Sequence, residues 1–350
     1  MMNRIALGLG FALLAGCPAE DTDTDTGGDT CANTIISGSE FPAQGATNAY
    51  YRTTIEAKLQ IEEATAAMSV MAGDVAVDGT SEVVGKKVIF TPSAPLSPST
   101  TYTVTMDYCA GTPSWDFTTS AVGSATDAAA LVDATYSLDL ASGRFVKPEG
   151  IGGIIQQYLT TSVLVGVTGS SSTTIDMIGA IATDAGAQDT CAPSIPFPTA
   201  DFSADPFFAV GPETTTLNVQ GYSLTIDDLY ISGAFSPDGS YIAGAVLKGV
   251  IDTRPLVPLI NPDPTAADDE ICNLAQSTLG VGCEPCADGG VFCLGLFVDS
   301  ISAEKVTTGA LIELRSPMDT TAPGTDYCTQ SECQTNDGAG TYDYPECAPV

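Results

Sequence analysis

The residues with the clearest chemical potential are the cysteines, of which the chain has 11. Cys272, Cys283, Cys286 and Cys293 form the densest group, and the Cys283–Cys286 pair has the C-x-x-C spacing of a redox dithiol or of half a zinc site. A redox dithiol needs its first cysteine at the start of a helix, whereas glycines flank this motif on both sides. A Cys₄ zinc site needs a second C-x-x-C pair, which the sequence lacks. We therefore predict disulfides here and no metal site.

Other catalytic motifs are missing. The chain has no histidine, which excludes Ser-His-Asp and Cys-His catalysis and histidine-bound metals. Asp227-Asp228 and Asp268-Asp269 are adjacent carboxylates, and a glycosidase uses two acids. Adjacent acids on a strand point to opposite faces, and adjacent acids at a helix start commonly stabilise that terminus. We expect no catalytic residue and no cofactor, with a carboxylate-based hydrolase as the weakest alternative.

The first residues of the chain have the pattern of an export signal. Arg4 precedes an apolar run over residues 5–14, and Leu14-Ala15-Gly16 leads directly into Cys17. A charged start, a short apolar stretch and a small-residue cleavage site are typical of signal peptides. The alternatives are an ordinary signal peptide or one transmembrane helix, but a membrane span needs roughly 20 apolar residues.

This segment resembles the lipobox of bacterial lipoproteins. The resemblance implies a signal peptide at residues 1–16, cleaved before Cys17, and acylation of Cys17. Each acyl methylene buried in a bilayer would contribute about 0.8 kcal/mol to membrane binding. Pro18 follows Cys17 in place of aspartate, which in Gram-negative lipoproteins implies sorting to the outer membrane. We expect a lipid-anchored protein on either the periplasmic or the cell-surface side of that membrane.

Residues 17–30 are predicted to be the lipidated cysteine and an acidic, disordered tether. The alternating Asp and Thr residues have no apolar periodicity, and repeated like charges extend such a segment. Asp21, Asp23 and Asp25 alternate as in a calcium loop, but Thr26 and Ala32 stand where an EF-hand needs glycine and glutamate. A spacer is therefore favoured over a metal site.

The composition indicates packed domains with an acidic surface. The formal net charge is −32, from 43 acidic and 11 basic residues. Such a charge repels nucleic acid and anionic membrane surfaces. Hydrophobic residues make up 44% of the chain and charged residues only 15%, so the chain can form packed cores. About two domains are expected at this length.

Cysteine parity supports disulfides in an oxidising compartment. If Cys17 carries lipid, ten cysteines remain, and an even number in an exported chain indicates disulfides. The candidates are Cys31, Cys109, Cys191, Cys272, Cys283, Cys286, Cys293, Cys328, Cys333 and Cys347.

Chain proximity suggests some of the pairs. Cys31 and Cys109 bracket the first predicted domain and are its natural pair. A disulfide that closes this loop would raise the free energy of unfolding by up to ~4–5 kcal/mol. Cys328 is close enough to Cys333 to pair locally, with Cys347 reaching a cysteine elsewhere. Pairing of Cys272 with Cys283 or Cys293, of Cys286 with a neighbour, and of Cys191 with a distant cysteine stays open.

Residues 31–121 are predicted to be all-β. Residues 101–106 alternate, with Tyr102, Val104 and Met106 on one face. Residues 62–71 have a more helical pattern. Four segments, residues 42–46 (PAQGA), 88–92 (VIFTP), 96–104 (LSPSTTYTV) and 117–119 (FTT), resemble the bacterial Ig-like domain of S-layer and envelope proteins. The resemblance implies a β-sandwich that acts as a spacer or adhesive module and has no catalytic residues.

The rest of the chain is predicted to be mainly β as well. A small-residue linker over residues 122–134 precedes a larger β-rich domain over residues 135–315, and residues 316–350 form an irregular, cysteine-containing tail. Pro237-Asp238-Gly239 supplies the turn of a hairpin. Short helices are expected at residues 150–159 and 267–279. The predicted fold is an Ig-like sandwich followed by an antiparallel barrel or sandwich with one or two short helices.

These features favour a non-enzymatic, lipid-anchored envelope protein with a structural, adhesive or partner-binding role. Its expected partners are the membrane, through the lipid, and a protein or envelope polymer, but not nucleic acid. The first alternative is a carrier of a small apolar ligand inside the second domain. The apolar stripe of Ile151, Ile154, Ile155 and Tyr158 could close the mouth of such a barrel, although this pattern more often packs a core.

Overall fold

The computed structural model describes residues 31–140, 143–150, 162–219, 222–261, 263, 265–336, 338, 340 and 343–348. The signal peptide, Cys17 and the tether predicted at residues 1–30 lie outside the described residues. So does the helix predicted over residues 150–159, apart from Gly150.

The N-terminal β unit is a two-sheet sandwich, as the alternating pattern predicts. One sheet has the strand order β1-β5-β4 and the other β3-β2-β6-β7. The strands are β1 (Ile55–Lys58), β2 (Ala67–Ala72), β3 (Val75–Ala76), β4 (Gly79–Val84), β5 (Lys87–Pro92), β6 (Thr101–Asp107) and β7 (Ser114–Thr118).

The core between the two sheets is formed by inward-facing residues of both. Tyr102, Val104 and Met106 of β6 are all buried. The Tyr102 ring stacks on Phe117 with 5.5 Å between the ring centroids. The indole Nε1 of the buried Trp115 donates a hydrogen bond to the carbonyl oxygen of Pro42 at 3.1 Å, so this polar group is satisfied inside the core.

The helical pattern of residues 62–71 does not correspond to a helix, and the all-β prediction for this unit is confirmed. Ala67–Ala72 form β2, which pairs with β6 through Met68 opposite Met106 and Val70 opposite Val104. Met68 and Val70 are buried in the sandwich core. The partner strand lies more than thirty residues away in sequence, so this tertiary pairing overrides the local helical preference.

The second β unit is a closed antiparallel barrel. Around the barrel the strand order is β8-β17-β16-β15-β14-β13-β11-β10, and β10 pairs with β8 to close it. The strands are β8 (Thr135–Asp139), β10 (Val163–Ser170), β11 (Thr174–Ile181), β13 (Ala200–Ala204), β14 (Phe207–Val219), β15 (Tyr222–Phe235), β16 (Tyr241–Asp252) and β17 (Cys293–Val306). Of the two architectures expected from the sequence, the structure therefore has the barrel.

Short elements complete the chain. Strands β9 (Arg144–Lys147) and β12 (Ile195–Pro196) pair with β17 and β11, and β18 (Leu314–Arg315) pairs in parallel with β19 (Thr325–Asp326). Among the described residues the helices are α1 (Val257–Ile260) and α2 (Glu270–Leu279). The 3₁₀ turns are Ala128–Leu131, Arg254–Leu256, Tyr327–Thr329, Ser331–Gln334 and Pro345–Cys347.

Helix α2 begins three residues later than predicted. Asp269 is its N-cap residue but makes no side-chain capping bond, and the helix ends at Gly280, whose φ is 71°. Glycine adopts this left-handed conformation without steric cost.

Aromatic side chains fill the barrel interior. Phe235 is fully buried, and its ring centroid lies 5.6 Å from that of Tyr136, 6.1 Å from that of Phe202 and 5.2 Å from that of Phe208. The Tyr136 hydroxyl donates a hydrogen bond to the carbonyl oxygen of Gly239 at 2.9 Å. The part of the barrel interior that these residues form is therefore a packed apolar core.

The predicted hairpin turn connects β15 to β16. The Asp238 carboxylate accepts hydrogen bonds from the hydroxyls of Ser240 at 2.6 Å and Ser236 at 2.7 Å, and from the backbone of Ser240 at 3.1 Å. These hydrogen bonds, chiefly from Ser240 and then Ser236, lower the pKa of Asp238 to about 2. Gly239 has a φ of 66°, which only glycine adopts readily.

Removing the central ring should destabilise the barrel. We expect Phe235→Ala to lower the free energy of unfolding by about 3–5 kcal/mol, because the truncation leaves a cavity among rings that cannot collapse onto it. Val75→Ala, at a side chain 68% exposed, is the control and should change stability by less than about 0.5 kcal/mol. Equilibrium urea unfolding measures both. Equal effects of the two substitutions would contradict a packed barrel interior.

Candidate functional site

The sandwich docks on the outer face of barrel strands β15 and β16. Phe235 and Ile242 point into the barrel, whereas Ala234 is fully buried in the sandwich core. Tyr241 and Ala243, which flank Ile242, also pack against the sandwich core. Because successive strand residues face opposite sides, the same two strands contribute to both cores. We call this contact the seam.

A glycine bulge receives a tyrosine ring at the centre of the seam. The β16–β17 register shifts between Ile242 and Ala245, and Gly244 between them has a φ of 58°. A Cβ atom on Gly244 would overlap the ring of Tyr50 from the sandwich. Only glycine therefore allows the Tyr50 ring to approach the β16 backbone this closely.

Arg144 bridges the two units electrostatically. From β9 it forms a bidentate pair with Asp299 of β17, with Nε 2.8 Å from Oδ1 and Nη2 2.6 Å from Oδ2. Its Nη1 lies 3.1 Å from Oε2 of Glu56 on sandwich strand β1. The guanidinium carbon lies 3.9 Å from the ring centroid of Phe41, also in the sandwich. One side chain thus contacts both sides of the seam.

The environment of Arg144 stabilises its charge. Burial alone would lower its pKa, but the hydrogen bonds and charges of Asp299 and Glu56 outweigh burial, so its pKa lies above the ordinary value. Side-chain exposure is 28% for Arg144, 12% for Glu56 and 17% for Asp299. The ion triad is therefore largely shielded from solvent. Salt screens such partly buried charges less than it screens charges at an open surface.

Further cations lie along the same contact. The Arg52 guanidinium carbon lies 4.0 Å from the ring centroid of Phe207 on β14. Lys58 of β1 forms an ion pair with Glu149 of the second unit, and Lys87 lies 3.6 Å from Glu56. The chain has only 11 basic residues, and four of them lie around this contact. Positive charge is therefore concentrated at the seam.

The segment between the two units is also packed. Val122 is fully buried in the sandwich core. The backbone N–H of Thr126 donates a hydrogen bond to the Asp205 carboxylate at 3.0 Å. The predicted linker therefore contacts both units instead of running free between them.

The cysteine cluster beside β17 contains two disulfides. Cys272 pairs with Cys283, and Cys286 pairs with Cys293, with 5.4 Å and 5.1 Å between the respective Cα atoms. The two cysteines of the C-x-x-C motif are therefore bonded to other partners and not to each other.

An arginine ties this cluster to β16. The Arg254 guanidinium lies 2.7 Å from Asp252 and 2.7 Å from Asp288. Hydrogen bonding to Arg254 is the main cause that lowers the pKa of Asp252. Disulfides and ion pairs thus attach this cluster to the barrel.

Of the remaining three disulfides, two join distant parts of the chain and one lies within the C-terminal tail. Cys31 pairs with Cys109, as expected from the sequence, with 5.6 Å between Cα atoms. Cys191 pairs with Cys333, and Cys328 pairs with Cys347. The local Cys328–Cys333 pair suggested by proximity is therefore wrong, because Cys333 is buried against the barrel-side residue Cys191. Proximity in sequence could not reveal this long-range contact.

The acidic pairs considered for hydrolysis have structural surroundings. Asp227 accepts a hydrogen bond from the Thr214 hydroxyl at 3.0 Å across the β14–β15 ribbon, and Asp228 has a φ of 51° where that register shifts. Asp268 and Asp269 precede helix α2.

Metal-ligand clusters give no further support for a metal centre. Among the described residues two clusters bring such side chains together, Cys31-Glu63-Cys109 and Asp252-Cys286-Cys293, and both cysteines of each are joined in a disulfide. In the part of the chain that the structure describes, no helix has the length and apolar character needed to span a membrane.

The ion pair between Arg144 and Glu56 should contribute measurably to the free energy of unfolding. In a double-mutant cycle of Arg144→Met and Glu56→Gln we expect a coupling free energy of about 1–2 kcal/mol, since the pair is largely shielded. The matched control is Lys147–Glu284, a pair 3.3 Å apart whose side chains are 54% and 42% exposed; its coupling should stay near 0–0.5 kcal/mol. Chemical denaturation measures both cycles. A bridge that couples no more strongly than the exposed pair would contradict its role.

Removing a buried tyrosine hydroxyl should have different effects on stability at Tyr50 and at Tyr136. Among the described residues, the buried Tyr50 hydroxyl has no hydrogen-bond partner, so Tyr50→Phe should leave stability unchanged or raise it. Tyr136→Phe removes the bond to Gly239 and should cost about 1 kcal/mol. Thermal unfolding of the two variants at neutral pH provides the comparison.

The Tyr136 contribution should depend on pH. Burial, followed by the charge of Asp238, raises the pKa of Tyr136 to about 12. The folded state thus favours the neutral phenol, so the stabilisation is present below pH ~10, the unfolded pKa, and is lost as pH rises towards 12. Tyr136→Phe should therefore show a shallower loss of stability between pH 10 and 12 than the parent. Identical slopes would contradict this assignment.

Comparisons with known proteins agree with the sandwich. A family model described as a bacterial Ig-like domain matches residues 29–119. No curated protein matches the chain. Among solved structures, a crystal structure of the S-layer protein rSbsC aligns with 9% identity and a TM-score of 0.20, covering 76% of this chain and 53% of that chain. Such a TM-score supports no transfer of fold or function. The predicted resemblance of the N-terminal unit to bacterial Ig-like domains is confirmed by the family match.

Proposed function

We propose that this protein is a lipid-anchored module of the bacterial cell envelope, in which an Ig-like sandwich and a barrel act as one rigid structural or adhesive unit. The observation that carries the proposal is the seam. A spacer that must hold its orientation needs adjacent domains that do not swivel, and the seam combines shared strands, a glycine bulge and a shielded ion triad.

The covalent framework suits an exported location. The ten described cysteines form five disulfides, and disulfides persist in oxidising compartments such as the periplasm or the cell surface. The bacterial Ig-like match over residues 29–119 points to the same environment. Attachment through Cys17 and sorting to the outer membrane rest on the sequence of residues 14–18 alone.

The carrier hypothesis has less support. A carried apolar ligand would need an empty cavity inside the barrel, and the rings of Tyr136, Phe202, Phe208 and Phe235 occupy that interior. A packed core of this kind fits a structural role better than transport of a ligand. The hydrolase hypothesis likewise gains little from Asp227, whose carboxylate accepts a hydrogen bond from Thr214 across the β14–β15 ribbon.

Acylation of Cys17 is the most direct test of the anchor. In a Gram-negative host fed an alkyne-labelled fatty acid, we expect the parent chain to incorporate the label and to fractionate with membranes. Cys17→Ser should abolish the label and release the protein from the membrane fraction, because the substitution removes the thiol that is proposed to carry the membrane-anchoring acyl chain.

The control for this experiment is a second cysteine change. Cys31→Ser combined with Cys109→Ser removes one disulfide but should leave the label in place. Intact mass of the purified parent should show an acylated N-terminal cysteine. A parent chain without label, or label retained by Cys17→Ser, would contradict the proposed lipid anchor.

A further inference from the structure

A cavity of about 550 Å³ lies between the barrel and the C-terminal segment. Its lining includes Asp189, Met318, Asp319, Tyr327, Tyr344 and Glu346. The volume falls in the range of small-molecule sites in proteins, roughly 300–1,000 Å³. The cavity is separate from the seam and from the cysteine cluster, and the function proposed above does not use it.

Disulfides and hydrogen bonds fix the cavity walls. Cys191, which lines the cavity, is joined to Cys333. Cys328 and Cys347, which directly follow Tyr327 and Glu346, form a second bond. The Ser194 hydroxyl and the backbone of Leu314 exchange hydrogen bonds of 3.1 Å and 3.0 Å, which hold the tail against the barrel. A ligand would therefore meet a preorganised site and lose less free energy to ordering.

The charge of the lining is negative. Asp189, Asp319 and Glu346 contribute carboxylates, and the described lining residues include no lysine or arginine. Hydrogen bonds from the side chain and then the backbone of Thr321 lower the pKa of Asp319. The neighbouring Arg315 directs Nη1 to the backbone oxygens of Ser316 and Asp319 at 3.2 Å and 3.3 Å, and its charge makes a smaller contribution to lowering the pKa of Asp319.

The remaining lining is aromatic and polarizable. Tyr327 is mostly buried, and its hydroxyl donates a hydrogen bond of 2.5 Å to Oε1 of Glu346. Tyr344 lies beside Asp189 and Glu346, whose charges contribute, after burial, to raising its pKa. Met318 is 84% exposed at the cavity. Rings and a thioether beside carboxylates suit a cation whose charge is spread over carbon-bound hydrogens.

A compact metal ion fits this lining poorly. Ca²⁺ requires six to eight oxygen ligands at 2.3–2.6 Å. Within the described residues, the three cavity carboxylates do not form a cluster with ligand atoms within 4.8 Å of one another. The separated charges instead surround a volume large enough for a small organic molecule.

We propose that this cavity binds a small organic ammonium cation, held by the rings of Tyr327 and Tyr344 that line it and by the carboxylates of Asp189 and Glu346. The cation could belong to a free quaternary ammonium compound or to a lysine side chain of a peptide. The binding chemistry is the same in both cases.

Isothermal titration calorimetry on the disulfide-intact chain tests the proposal. The probes are choline, its uncharged isostere 3,3-dimethylbutan-1-ol, and Nα-acetyl-lysine N-methylamide. We expect saturable binding of at least one cation and at least tenfold weaker binding of the isostere. Tighter binding of choline would identify a free ammonium compound as the source, and tighter binding of the lysine derivative would identify a peptide. No saturable binding of either cation at millimolar concentration, or equal binding of the isostere, would overturn the proposal.

Matched variants locate the site. Tyr344→Leu should weaken cation binding about five- to tenfold, since it removes the ring but keeps an apolar side chain, whereas Tyr344→Phe should retain it. Asp189→Asn should weaken binding at least threefold, and Asp74→Asn, in the sandwich and outside the cavity, should not. Disulfide mapping and circular dichroism verify the fold of each variant. Equal losses in Asp189→Asn and Asp74→Asn, or an unchanged affinity in Tyr344→Leu, would contradict this location.

Discussion

The alternation of side chains along β15 and β16 is the constraint on which the rest of the structure depends. Phe235 and Ile242 enter the barrel core while Ala234 and Ala243 face the sandwich. A shift of one residue in register would exchange the two sets and disrupt both cores at once. The bulge at Gly244 then adjusts the outer face to receive Tyr50. Folding of the barrel thereby creates the docking surface of the sandwich.

Covalent and ionic contacts reinforce this arrangement at its edges. The Cys31–Cys109 disulfide closes the sandwich, and Cys191–Cys333 ties the tail to the barrel. With a net charge of −32, self-repulsion opposes a compact state. The few basic side chains are therefore most effective where they contact acids of both units, as Arg144 does with Glu56 and Asp299. Disulfides, which act independently of charge, complement them.

Local patterns in the sequence predicted local features well. The alternation around Val104 predicted a strand, and Pro237-Asp238-Gly239 predicted the hairpin turn. Long-range features were missed: the pairing of β10 with both β8 and β11 that closes the barrel, and the partners of Cys328 and Cys333.

The residues of the seam and of the cavity give equally little local signal. Gly244 is one of 35 glycines, and only its contact with Tyr50 distinguishes it. Tyr344 and Asp189 are far apart in sequence but line one cavity, beside the Cys191–Cys333 and Cys328–Cys347 disulfides. The scarcity of basic residues was visible in the composition, and it could have drawn attention to Arg144. Its two partners could not be identified before the fold was known.

The orientation of the sandwich on the barrel can be measured by the distance between two spin labels. Labels on genetically encoded residues at the exposed positions Val75 and Ile312 leave every disulfide intact. Double electron–electron resonance should give one narrow distance distribution in the parent chain. Gly244→Val, which forces a side chain into the Tyr50 ring, should broaden it. A broad distribution in the parent chain would contradict a rigid seam.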